Sequence, residues 1–116
     1  MARSFGGAQP FTLRRPVSHV GGHQAQTAAG TVTLTYASGQ YQKIDPGGSH
    51  RDVALPSARR GAYFDIVNGA DAAENLVVKD GVTTVATLNE SEGARVYVAE
   101  GASTWSLGHV FTANIS

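Results

Sequence analysis

Four histidines, nine carboxylates and no cysteine are the material from which this 116-residue chain could build a reactive site. His19 and His23 stand four residues apart, a spacing that holds zinc when both imidazoles lie on one helical face. The intervening Val20-Gly21-Gly22 opposes a helix, and no carboxylate or cysteine lies nearby to complete a coordination shell. His50 and His109 are isolated and read as loop or surface residues. Asp71, Glu74 and Asp80 bracket one loop and could in principle hold calcium. They lack the alternating acids and fixed glycine of a dedicated calcium loop, so a solvated turn is expected there. Gly48-Ser49-His50 and Gly101-Ala102-Ser103 are not the Gly-x-Ser-x-Gly elbow that exposes a nucleophilic serine. Paired carboxylates for sugar hydrolysis are set by geometry and not by spacing, but a chain of short strands leaves little wall for a cleft. No glycine-rich loop with a following lysine leads from a strand into a helix. The expectation is a protein that is not an enzyme, with no metal and no cofactor.

The elements that would position these residues are strands. Apolar content of 41%, 14 glycines and short apolar runs rich in Thr and Val point to one all-β domain. Thr31–Tyr36 alternates strictly, with Val32, Leu34 and Tyr36 facing inward and three threonines outward. Gly61–Asn68 is the run around which the chain is organised, with Phe64 and Ile66 on one face and Tyr63, Asp65 and Val67 on the other. Asn75–Asp80 answers it through Leu76 and Val78, and Asp80-Gly81 then signals a tight hairpin into Val82–Leu88. Tyr41–Ile44, Asp52–Leu55, Ala94–Ala99 and Thr104–Thr112 complete about eight short strands, with Gly108 marking a bulge or kink in the last. Their spacing of roughly 8–12 residues is that of an antiparallel β-sandwich or jelly-roll-like body, with a small closed barrel as the alternative. The expected core is Val32, Leu34, Phe64, Ile66, Leu76, Val78, Val96, Val98 and Trp105.

Residues 1–30 read differently. They form an extended N-terminal arm ahead of a β-sandwich domain at 31–116. Pro10, Pro16 and several glycine and alanine pairs interrupt regular structure, yet Phe5, Phe11, Leu13, Val17 and Val20 are too apolar for a solvated tail. Such a segment orders against a partner surface, or docks as an edge strand at Phe11–Arg15. The charge balance is uneven although the total is zero. Residues 1–44 hold Arg3, Arg14, Arg15 and Lys43 without one acid, while all nine acids lie from Asp45 onward. Phe5, Phe11, Leu13, Arg14 and Arg15 are the candidate partner-binding residues. Arg14-Arg15 and Arg59-Arg60 are the only basic pairs, too few for a phosphate-binding face, so no nucleic acid is expected. No apolar run is long enough to span a bilayer as a helix, and nothing resembles a secretory leader. Synthesis in a cytoplasm without membrane association is expected.

One further pattern runs through residues 31–107. A strand ends in Leu55-Pro56 before a Gly-aromatic strand at Gly61-Ala62-Tyr63, and Ile66-Val67-Asn68 closes that strand. An apolar strand then meets Asp80-Gly81, and a late Gly101-Ala102-Ser103-Thr104-Trp105 follows. With the pliant arm in front, the layout resembles small virion proteins of tailed bacteriophages, of the β-sandwich head-decoration (cement) type. The resemblance implies a structural protein on the capsid surface, made in the bacterial host cytoplasm. Its implied partners are the major capsid protein and its own copies, often as a homotrimer at local threefold positions. A carbohydrate- or receptor-binding module of a head fibre or tail is the alternative, with Trp105, Tyr63 and Tyr97 as its possible platform. The exposure of Trp105 discriminates, since a buried ring favours the structural reading.

Overall fold

A computed structural model describes residues 21–112. Among these the protein is all-β, with nine strands and no helix. In chain order they are β1 (His23–Thr27), β2 (Val32–Thr33), β3 (Tyr41–Asp45), β4 (Arg51–Ala54), β5 (Tyr63–Asn68), β6 (Leu76–Asp80), β7 (Thr83–Leu88), β8 (Glu92–Tyr97) and β9 (Ser106–Thr112). The first sheet has the order β9-β8-β5-β3-β1 and the second β2-β4-β6-β7.

The first six strands alternate between the two sheets, so the chain winds from one to the other and back. Each sheet therefore pairs like with like in parallel: β1 with β3 and β3 with β5 in the first, β2 with β4 and β4 with β6 in the second. Parallel neighbours need a crossover connection, and here the crossover is a strand of the opposite sheet. Only the last three strands add antiparallel pairs, β7 on β6, β8 on β5 and β9 on β8. The expectation of a uniformly antiparallel body is thus corrected, because both sheets are mixed. Alternation of apolar and polar residues reports which face of a strand is buried, and it is silent on the direction of the neighbour.

Two expected pairings also change. The run Asn75–Asp80, expected to answer Gly61–Asn68 as the next strand of one meander, does not pair with it; β5 and β6 lie in different sheets, and β5 pairs with β3 and β8 instead. The hairpin at Asp80-Gly81 is present as β6–β7. His23–Thr27, assigned by sequence to the arm, is the edge strand of the first sheet. The register of β9 on β8 shifts between Leu107 and His109, so the irregularity expected at Gly108 is there.

All nine expected core residues are buried, and they share one cluster with Ile44, Val53, Leu55, Leu88 and Ala94 drawn from both sheets. Phe64 and Trp105 stack with ring centroids 5.7 Å apart. The winding turns tightly after β3. There Gly47 has φ 75°, and a Cβ on it would lie 2.5 Å from the Ala28 carbonyl oxygen, so only glycine fits. Val67, expected on an exposed face, is fully buried. It lies on the outer side of the first sheet, where the Phe111 ring covers Gly93. A Cβ at Gly93 would come within 2.5 Å of that ring and 3.0 Å of Val67.

Buried amides fix the register. Gln42 is fully buried, and its Nε2 donates to Gln24 Oε1 (2.8 Å) and the Gly39 carbonyl (2.7 Å), while its Oε1 accepts from Gln26 Nε2 (3.0 Å). This bridge ties edge strand β1 to β3, and slipping either strand would strand the amide inside the core. Asn68 does the same at the end of β5. Its Nδ2 donates to the carbonyls of Glu74 (2.7 Å) and Leu88 (3.0 Å), and its Oδ1 accepts from the Ala70 amide (2.9 Å).

Candidate functional surfaces

The parallel winding brings the turn after β3 beside the loop that follows β5. Gly69 N donates to the Ile44 carbonyl at 2.8 Å, which fixes the start of that loop against the end of β3. As a result Asp45, Asp71 and Glu74 approach until their nearest carboxylate oxygens lie within 4.8 Å of one another. The sequence had grouped Asp71 and Glu74 with Asp80. Asp80 is elsewhere, accepting the Trp105 backbone amide at 3.1 Å, and Asp45 takes its place. No spacing rule finds Asp45, because the parallel register of β3 on β5 is what delivers it. Asp45 Oδ1 accepts from the Gly47 amide at 2.9 Å. Glu74 is half-buried, and its Oε1 is sealed from solvent with no hydrogen-bond partner, the one such side-chain atom among the described residues. Next to this cluster an open groove of about 350 Å³ crosses the outer side of β1 and β3, lined by Ala25, Gln26, Thr27, Lys43, Asp45 and Gly69. An oxygen-only set of this kind attracts hard cations or a charged hydrogen-bond donor.

The second candidate surface is the remaining outer side of the first sheet. Tyr63 and Tyr97 face each other directly across β5 and β8. Arg95 grips Asp65 in bidentate fashion (2.7 and 2.8 Å), and its guanidinium lies 4.5 Å from the centre of the Tyr63 ring. That hydrogen bond, and then the charge behind it, raise the Arg95 pKa above its already high ordinary value. At the sheet edge His23 stacks on Tyr41 with ring centroids 5.0 Å apart. The sequence named the Tyr63–Tyr97 pair as a possible platform together with Trp105, and the structure separates them. Trp105 is 5% exposed, and its Nε1 donates to the Pro56 carbonyl at 2.7 Å.

The described histidines do not converge. His23 is on β1 and its expected companion His19 lies outside the described residues. His50 Nδ1 accepts the Asn75 amide at 2.8 Å, and His109 stacks on Phe111. Phe5, Phe11, Leu13, Arg14 and Arg15 likewise lie outside the described residues. Tyr36 has a pKa pushed above its ordinary value by burial, partly offset by Arg59, whose guanidinium sits 4.7 Å from the ring centre. Its hydroxyl donates to the Ser57 carbonyl at 2.6 Å. No family model, no curated protein and no solved structure matches this chain.

Proposed function

We propose that this protein is a structural component of a phage virion, a decoration or cement protein that binds the outside of the capsid and stabilises it. The observation that supports the reading is how the residues carrying the family resemblance meet in space. Pro56 accepts from the Trp105 indole, Asp80 accepts from the Trp105 amide, and the Trp105 ring packs on Phe64. Asn68 closes the same frame by holding the carbonyls of Glu74 and Leu88. The pattern of turns and strands is thus one connected scaffold, and the buried Trp105 serves that scaffold and not a ligand. In this reading the two sheets form a sandwich-like, jelly-roll-like body, and no reaction is catalysed.

Attachment falls to the N-terminal segment, with Phe5, Phe11, Leu13, Arg14 and Arg15 as the contacts, and to faces between copies in a homotrimer. Many weak contacts repeated over a shell convert to durable coating through multivalency. The major capsid protein is the proposed partner. A second reading, a carbohydrate- or receptor-binding module of a fibre or tail, draws on the Tyr63–Tyr97 pair and on Tyr41 at the same sheet's edge.

Co-sedimentation with capsids of the parent phage tests the proposal. The full chain is expected to pellet with capsids, and a variant lacking residues 2–15 is expected to stay folded in the supernatant. A deletion variant that pellets as well as the full chain would move attachment to the body. Failure of the full chain to pellet, with retention on a glycan array, would favour the second reading.

A further inference from the structure

Asn68 is the one asparagine of this chain that is followed by glycine; Asn75, Asn89 and Asn114 precede Leu76, Glu90 and Ile115. The backbone nitrogen after an asparagine can attack the side-chain amide carbon. Glycine permits that attack most readily, because it has no Cβ to crowd the approach and the widest choice of backbone angles. A bond from Gly69 N to Asn68 Cγ would close a five-membered succinimide. The nitrogen gives its proton to solvent base, and the side-chain nitrogen leaves as ammonia. Water then opens the ring at one carbonyl or the other. The product is aspartate, or isoaspartate with the main chain rerouted through the former side chain.

The fold withholds what this reaction needs. Gly69 N–H donates to the Ile44 carbonyl at 2.8 Å, so the nucleophile keeps its proton in a bond that continues the pairing of β3 with β5. Asn68 is fully buried, away from solvent base and from the water that would open the ring. Its Nδ2 is held by the carbonyls of Glu74 and Leu88. One contact works the other way: the Ala70 amide on Oδ1 would stabilise the negative charge that develops there during attack. Nucleophile and base are therefore what the closed structure denies. The same bonds disfavour the product. Aspartate would turn a buried charge toward two carbonyls, and isoaspartate would lengthen the main chain by a methylene where β5 ends. We propose that Asn68-Gly69 is a self-modifying site held shut by the native fold. The chain deamidates there only after the end of β5 has opened, and a deamidated chain rebuilds the join between the sheets weakly and reopens more often. Each opening can thus leave a lasting mark, and the survival of the folded protein becomes a rate as well as an equilibrium. The inference concerns the body alone and stands or falls independently of the capsid reading.

The full chain is incubated at one pH and temperature in native buffer and in guanidinium chloride, then digested with trypsin. Asn68 falls in the peptide 61–79, between Arg60 and Lys79, and fragmentation of that peptide separates a change at Asn68 from one at Asn75. In denaturant the peptide is expected to gain the mass difference between a hydroxyl and an amino group and to split into aspartate and isoaspartate forms. In native buffer the change is expected at least about a hundredfold more slowly, since a stable domain is open in about one copy in a thousand or fewer. Gly69→Ala is expected to slow the reaction in denaturant, where its effect on the fold plays no part. Deamidated chains returned to buffer are expected to unfold at a lower denaturant concentration than untreated ones, followed by Trp105 fluorescence. A smaller ratio between the two conditions, an unreactive Asn68 in denaturant, or a Gly69→Ala chain that reacts as fast as the parent would overturn the proposal. So would deamidated chains with an unchanged unfolding midpoint.

Discussion

Asn68→Ala probes the join between the two sheets more directly than any apolar truncation. The side chain is fully buried at the end of β5, and its three hydrogen bonds reach the loop after β5 and the end of β7. Each such bond contributes about 0.5–1.5 kcal/mol net, so losing three costs about 1.5–4.5 kcal/mol. Leu88 and Ala70 are themselves buried, and water does not readily replace the lost partners, which places the expected loss near 3 kcal/mol. With a urea dependence of about 1–3 kcal/mol per molar for a small domain, the unfolding midpoint falls by about 1–3 M at an unchanged slope. Asn68→Asp is the sharper control. It keeps the acceptor for Ala70 but turns the donor into a negative charge facing two carbonyls, and it is expected to cost at least as much as alanine. Equilibrium urea unfolding followed by Trp105 fluorescence gives both numbers. A loss below about 1 kcal/mol for alanine, or a tolerated aspartate, would refute the claim that this amide holds the loop and β7 together.

Phe64→Ala removes the ring that packs on Trp105 in the centre of the core, and is expected to cost about 3–5 kcal/mol in the same assay. Tyr36 keeps its proton in the folded state above the ordinary tyrosine pKa of about 10, so the folded protein binds more protons there than the unfolded chain. Its contribution is complete below that pH and is lost as pH rises through the raised value. Absorbance titration should show one late phenolate that Tyr36→Phe removes. Chelator is expected to leave the melting temperature unchanged, whereas a clear drop would mean that a bound ion stabilises the native state by mass action. A chain ending at Leu88 is expected to self-associate, visible as light scattering, where the full chain stays dispersed.

The core was legible in the sequence because one buried face forces a period of two, and Val32, Leu34, Phe64, Ile66, Leu76, Val78, Val96 and Val98 carry it in pairs two residues apart; Trp105 is buried without it, since Leu107 is exposed. Strand direction was not legible. Tyr41–Asp45 reads the same whether its neighbours run with it or against it, and only the crossing between sheets decides. β1 escaped notice because His23-Gln24-Ala25-Gln26-Thr27 has no apolar face. Its inward-facing side chains are glutamines that reach a third glutamine on β3. The Asp45–Asp71–Glu74 cluster was half visible, since Asp71 and Glu74 share a loop, while Asp45 comes from a strand whose pairing no local signal encodes.

The parallel winding also sets the order in which the molecule can be built. Among the described residues, β6–β7 and β8–β9 are the pairs that join strands adjacent in sequence; each of the others waits for an intervening strand to be laid on the opposite sheet. Contacts so distant in sequence favour slow folding, in the millisecond-to-second range rather than the microsecond one. As the chain leaves the ribosome, each further strand up to β6 extends one sheet or the other. The first sheet nevertheless keeps β5 as a bare edge until β8 has been synthesised, because β8 is its other neighbour. For that interval Phe64, Ile66 and Val67 sit on a strand paired on one side only, the kind of edge onto which another chain adds. The last two strands thus act as the molecule's own guard against mispairing, and they are the last to arrive.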